Sequence, residues 1–309
     1  MELLRLLAGI RTPFFDFIFG LITGLGEETA GIIILCGIYW CISKQAAYRM
    51  GIAYFLSGLT VQGIKISFRI DRPWVIDPGF HPVQSAIQKA TGYSFPSGHT
   101  QGATAMFGSL GAQLKRKSVK AACFLLAILV AFSRMYLEVH TLLDVSAAFL
   151  ISLLFALFSV KFAVSDSINK KREFVLFIIL VFYAAFIIVL AAELYSSGII
   201  ELHYLSDCMK SVGAAIGFAT GMYIERVYIR FTVSTKNAIG QIIKLIFGIA
   251  GLLAIKEGSK LIAITGLVFD TARYFLMLLW ITVFFPLIIQ RFFAASERLP
   301  ESRQDNNFM

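Results

Sequence analysis

Three short polar segments interrupt an otherwise apolar chain, and they hold the residue types needed to grip an anion and move a proton. The first closes a hydrophobic run with Lys65, Arg69, Asp71, Arg72 and Pro73. The second, Tyr93-Ser94-Phe95-Pro96-Ser97-Gly98-His99-Thr100, opens another. The third begins at Ser133-Arg134 and continues to His140 and Asp144. Lys65, Arg72 and Arg134 supply three cations, two with the planar fork that suits phosphate oxygens. Pro96-Ser97-Gly98 reads as the entry to a helix whose free N–H groups and positive dipole end favour an anion. Gly98 permits close approach of the backbone. His140 and Asp144 are four residues apart at the opening of a helix, so their side chains share a face. The carboxylate can hold one ring nitrogen and leave the other free as a nucleophile. His99, on a different helix, is placed to be the proton donor. Histidines with different partners can hold different protonation states, so one site can run nucleophile and acid together.

Taken singly, each of these features has an ordinary explanation. Basic residues at helix ends snorkel to headgroups, a histidine at a helix start often caps, and His–Asp at four-residue spacing is a common local pair. The joint pattern weakens those readings. Of four histidines, two fall in these segments beside cations; His81 and His203 lack such company and are expected at the surface. Cys36, Cys41, Cys123 and Cys208 show no CxxC pair or metal-ligand spacing and read as small buried hydrophobes.

The elements that must position this set are membrane helices. Of 309 residues, 58% are hydrophobic and 15% charged, with mean hydropathy +0.76. An ordinary soluble domain is about half apolar and a quarter charged. Disorder, a coiled coil and a small secreted scaffold are excluded, and a soluble enzyme would expose its long apolar blocks. The expected fold class is all-α, a polytopic transmembrane helical bundle. About 20 apolar residues cross the hydrocarbon, and nine stretches qualify: 27–43, 50–65, 99–115, 119–135, 141–162, 173–193, 208–226, 239–256 and 270–290. Residues 257–269 could extend the last helix or form a separate hairpin. Residues 3–24, broken by Arg5, Arg11, Pro13 and Asp16, suit two short amphipathic helices in the membrane interface better than a span. The start, MELLRLLAG, lacks a basic leader and a small-residue cleavage site, so the first span is expected to direct insertion. The longest polar segment, 66–98, carries Pro73, Pro78, Pro82 and Pro96 and reads as a functional loop. Turns are expected at Asp77-Pro78-Gly79 and around Gly92.

Charge sets the orientation. The net charge is +9. With alternate loops assigned to opposite faces, the face that follows residue 43 carries 17 Lys/Arg of the 28 and 6 Asp/Glu of the 19. That face is expected in the cytoplasm, because Lys and Arg near span ends are retained inside. The three polar segments then meet on the extracytoplasmic face. The basic residues are short clusters at helix ends rather than one stripe, so no nucleic-acid partner is expected.

Lys65-x6-Arg72-Pro73, then Pro96-Ser97-Gly98-His99, then Ser133-Arg134-x5-His140-x3-Asp144 resembles the three-part signature of the type 2 phosphatidic acid phosphatase family, which includes the vanadium haloperoxidases. The resemblance covers residues 1–162. It implies hydrolysis of a phosphomonoester or diphosphate without metal or other cofactor, through a phosphohistidine on His140. Asp144 would orient that ring, His99 would protonate the leaving group, and Lys65, Arg72, Ser97, Gly98 and Arg134 would hold the phosphoryl group. The membrane setting favours a lipid phosphate over the soluble haloperoxidase chemistry. The expected substrate is an undecaprenyl diphosphate, phosphatidylglycerophosphate or phosphatidate type of lipid, met in the bilayer of a cell (plasma) membrane. A lipid phosphotransferase using the same phosphohistidine is the alternative within enzymes. A lipid-binding or transport protein without turnover is the alternative outside them.

The expected domains are a phosphatase core, 1–162, and an additional transmembrane region, 163–309. The family core has six spans, whereas five are counted here before residue 163 and four after it. Gly213, Gly217 and Gly221 form a small-residue face on one helix, expected to pack within the chain rather than in a dimer. Glu193, Glu201, Asp207, Asp270 and Arg273 are expected as ordinary interfacial residues, with Asp270 and Arg273 a helix pair.

Overall fold

A computed structural model describes residues 1–164, 167–233, 238–261 and 266–292. Every regular element among the described residues is helical. The chain forms two compact units, residues 1–32 with 52–161, and residues 33–51 with 162–309.

In the first unit, α1 (Glu2–Gly9) and α2 (Pro13–Gly24) are the two short amino-terminal helices. Thr12 caps α2, accepting from the Phe15 N–H, and Pro13 sits at the first turn, where its missing N–H costs nothing. Leu4 and Leu7 face inward, while Leu6, Ile10, Phe14, Phe17 and Leu21 are exposed. That outward apolar face suits lipid. α3 (Glu28–Cys41) follows α2 at a bend of 50°, and the pair together has the length and apolarity of one broken span. α3 alone, at about 1.5 Å per residue, is shorter than the hydrocarbon core. The bend therefore joins stretches that sequence reading assigns separately to the interface and to a first span.

α4 (Lys44–Phe68) ends at the first polar segment, with Arg69 in a left-handed conformation beyond it (φ 51°). Segment 69–97 is the expected loop, with turns at Pro78-Gly79 and Gly92 and two single-turn helices, α5 (Pro73–Ile76) and α6 (Gln84–Ile87). α7 (Gly98–Ala103) continues through a π-helical turn, Thr104–Gly108, into α8 (Ser109–Gln113). α9 (Lys117–Tyr136) is the central helix of the unit, flanked by α1, α2, α7, α8 and α10 (Leu142–Phe158).

The second unit contains α11 (Lys170–Ser196), α12 (Leu202–Ile224), α13 (Ala238–Leu261), α14 (Leu267–Leu279) and α15 (Phe285–Phe292). A π-helical turn, Trp280–Phe284, joins α14 to α15 just before Pro286, whose ring cannot accept an ordinary helical hydrogen-bond pattern. α12 lies against α14, and the glycine face explains the approach. A Cβ on Gly213 would stand 2.3 Å from the Thr271 carbonyl oxygen, and one on Gly217 2.5 Å from that of Phe275. The small residues thus serve packing within the chain. Two ion pairs lie inside this unit, Arg226 with Glu173 at 2.8 Å and Lys44 with Glu225 at 3.0 Å. Lys244 donates to the carbonyls of Trp40 and Val233. Asp270 and Arg273 form the expected helix pair at 2.7 Å.

Among the described residues, five helices are long and apolar enough to cross a membrane, or six with the bent α2–α3 pair. Nine spans are the looser sequence count, because α4 and α12 are too polar for that test and the continuous helix Gly98–Gln113 is too short for it. The hairpin or extension expected at 257–269 lies partly outside the described residues, as do Lys236, Arg298 and Arg303 of the charge count.

Candidate active site

Each motif residue sits where a helix begins or ends. Thr141 caps α10 and forms a capping box with Asp144: its hydroxyl accepts from the Asp144 N–H, and Asp144 Oδ2 accepts from the Thr141 N–H at 2.7 Å. The aspartate that sequence spacing pairs with His140 is therefore fixed first by the helix terminus. Ser97 caps α7, accepting from the N–H and hydroxyl of Thr100. The Ser97 N–H donates to the Asp144 carbonyl at 3.0 Å, which ties the second motif to the third. Gln101 secures α7 to α4 by donating to Ser57 Oγ and the Tyr54 carbonyl.

His140 is almost wholly buried, 1% exposed. Its Nε2 lies 2.8 Å from Arg72 Nη1. A guanidinium only donates, so Nε2 is the acceptor and the ring proton is on Nδ1. Nδ1 is 3.5 Å from both Ser94 Oγ and Asp144 Oδ2, and the Ser94 hydroxyl donates to Asp144 Oδ2 at 2.6 Å. The His–Asp contact is thus looser than a direct hydrogen bond, and Ser94 bridges it. Burial, followed by the charges of Arg72, Arg134, Lys65 and His99, holds the His140 imidazole well below its usual range. A neutral ring with a lone pair on Nε2 is the form a nucleophile needs.

The cations are aimed by carbonyls. Gly92 takes a left-handed conformation (φ 73°), a turn for which glycine is the default. That turn offers the carbonyls of Thr91 and Gly92 to Arg72 at 2.9 and 3.0 Å, and that of Tyr93 to Lys65 at 2.8 Å. Arg72 Nη1 also donates to the Val139 carbonyl. Arg134 is 0% exposed; its Nη1 donates to Thr23 Oγ1 at 2.8 Å, and its Nε and Nη2 have no partner among the described residues. Two orphan donors on a buried guanidinium are costly unless an anion meets them. His99 Nε2 is likewise buried without a partner among the described residues, in the electrostatic range of Arg134, Arg72 and Lys65. A Cβ built on Gly98 would meet no protein atom within 4 Å, so the space before α7 is open.

All eight residues singled out from sequence lie in the first unit, as parts of one connected arrangement of neighbouring helix ends and loops. Sequence reading missed Ser94 and Thr23. Ser94 was in view within the second motif, but its contact with Asp144 depends on a fold that joins distant segments. His81 and His203 are exposed, Cys36, Cys123 and Cys208 are buried, Cys41 is half-buried, and all four cysteines are free.

Among the described residues the fold is all-helical with helices apolar enough to span a membrane, and Lys65, Arg72 and Arg134 gather around His99 and His140, an arrangement that suits an anionic group. Residues 46–165 match the PAP2 superfamily, and residues 209–297 match the transmembrane extension of PAP2 superfamily phosphatases. The chain belongs to the PAP2 superfamily and is an integral membrane phosphatase of that family. Among solved structures it is similar to a transmembrane PAP2 type phosphatidylglycerolphosphate phosphatase from Bacillus subtilis. That likeness has 24% identity and a TM-score of 0.43, covering 51% of this chain and 81% of the other. No curated protein matches the chain.

Proposed function

We propose that this phosphatase hydrolyses a lipid phosphate or lipid diphosphate at the extracytoplasmic face of the cell membrane, through a phosphohistidine on His140. The observation that carries the reading is the pair of orphan Arg134 donors beside a neutral His140 whose Nε2 faces Arg72. An entering phosphoryl group would take the donors of Arg72, Arg134 and Lys65 and the N–H groups at Gly98 and His99, uncovering Nε2. Nε2 then attacks phosphorus as the bond to the leaving oxygen breaks, and His99, which takes up a proton as the negative phosphoryl group offsets the surrounding cations, delivers that proton to the leaving oxygen. In the second half, His99 takes a proton from water as its oxygen attacks phosphorus. The P–N bond breaks, phosphate leaves, and His140 returns to its neutral form. Asp144 and Ser94 hold Nδ1–H throughout and stabilise the charge that develops on the ring. The three cations supply the charge neutralisation that a metal supplies elsewhere.

The uneven Lys/Arg distribution supports the outer location, and the lipid-facing helices support a tailed substrate of the undecaprenyl diphosphate, phosphatidylglycerophosphate or phosphatidate type. Phosphate release from a panel of these lipids in detergent micelles is the test. Turnover is expected with at least one of them, persisting in EDTA, inhibited by vanadate and abolished in His140→Ala, which still folds. Unchanged turnover in H140A, or strict dependence on a divalent ion, would refute the mechanism.

A further inference from the structure

We propose that Glu138 is a positioning residue, clamped by Arg11, through which the amino-terminal helices fix the turn that carries His140; this rests on His140 being the nucleophile. Glu138 lies two residues before His140, between α9 and α10. Its backbone is left-handed (φ 59°), a conformation for which glycine is the default. The position nevertheless holds a carboxylate, and its side chain is 2% exposed. Both oxygens are occupied. Oε1 accepts from Arg11 Nη1 at 2.9 Å and Oε2 from the His81 N–H at 2.9 Å.

Arg11 is fixed in turn. Its Nη1 also donates to the His81 carbonyl at 2.8 Å, and its Nε and Nη2 each reach Asp16 at 3.2 Å. The clamp joins the α1–α2 junction, the 69–97 loop and the turn after α9. From the other side the turn is held by Arg72, which donates to the carbonyl of Val139, next to Glu138. Movement of Glu138 would therefore shift the His140 ring against Arg72. Neither Glu138 nor Arg11 touches the reacting atoms, so their effect passes through the placement of His140.

The variants Glu138→Gly, Glu138→Gln, Arg11→Met and R11M/E138G, in the full chain, test this with phosphatidate in detergent micelles. Glycine suits the left-handed backbone, but E138G leaves Arg11 and the His81 N–H without their buried carboxylate, so it is expected to fold with a lowered unfolding temperature, and its kinetics are compared at a temperature where it is fully folded. Its kcat is expected to fall about 10- to 100-fold, the scale of a small misplacement of a reacting group. KM should stay within about twofold, because the phosphate ligands are intact. E138Q, which keeps one acceptor, should recover part of the loss. The double variant should be no slower than E138G, since both residues act in one contact. Wild-type kcat in E138G would overturn the clamp, as would losses that multiply in the double variant. If R11M does not fold, the E138G and E138Q comparison decides alone. The two readings fail separately: turnover retained in H140A refutes the nucleophile and the clamp with it, whereas turnover retained in E138G with H140A inactive refutes only the clamp.

Discussion

Ser94 and Arg72 set the state of His140 from opposite sides, one through Nδ1 and the other through Nε2. Burial and the surrounding cations keep the ring neutral into the acid range. The acidic limb of kcat/KM is therefore expected below the ordinary imidazole value of about 6.5, because only the neutral ring attacks. An inflection at or above that value in the pH–rate profile would contradict the proposed electrostatics. The same shift acts on stability. The unfolded chain binds the His140 proton at higher pH than the folded one, so this residue's contribution to stability falls as pH drops through the imidazole range. At this scale Lys65, Arg72, His99, Arg134, His140 and Asp144 were legible, since rare ionisable residues stand out in an apolar chain. The capping box was signalled too, by Thr141-x-x-Asp144. Ser94, Thr23 and Glu138 were not, because nothing in a local pattern tells which distant partner a serine, threonine or glutamate will meet.

Helix junctions place these groups, and two glycines separate packing from ligand space. A Cβ on Gly26, between α2 and α3, would come 2.6 Å from the His99 carbonyl oxygen and 2.8 Å from Val130 Cγ1. Gly26→Ala is expected to lower stability by about 1–3 kcal/mol, the usual range for overpacking, and to lower activity with it. Gly98→Ala meets no protein atom and should keep the wild-type unfolding temperature while vanadate binds more weakly. Thermal unfolding and vanadate inhibition of both variants check this; tight vanadate binding in G98A would remove the α7 terminus from the phosphate seat. Apolar blocks and caps made most helices legible. The 50° bend between α2 and α3 and the π turns were not, because they answer to neighbouring helices rather than to local propensity.

For the whole molecule, hydropathy and charge announced a helical membrane protein, and the grouping of its helices was beyond them. Residues 33–51 pack with the second unit although they precede the first two motifs, a choice made by tertiary partners such as Trp40 against Gly248. Orientation is open to direct measurement. A cysteine introduced at exposed Val75, in the 69–97 loop, should react with a membrane-impermeant maleimide in intact cells. One at exposed Lys115 should react only after permeabilisation. The reverse pattern would contradict the extracytoplasmic site.

Passage of phosphorus through His140 is tested by rapid acid-free quenching with a lipid carrying labelled phosphate. The label is expected on the protein as a base-stable, acid-labile adduct, on the peptide containing His140, and absent from H140A. Label that appears elsewhere, or that remains in H140A, would refute a phosphohistidine on His140.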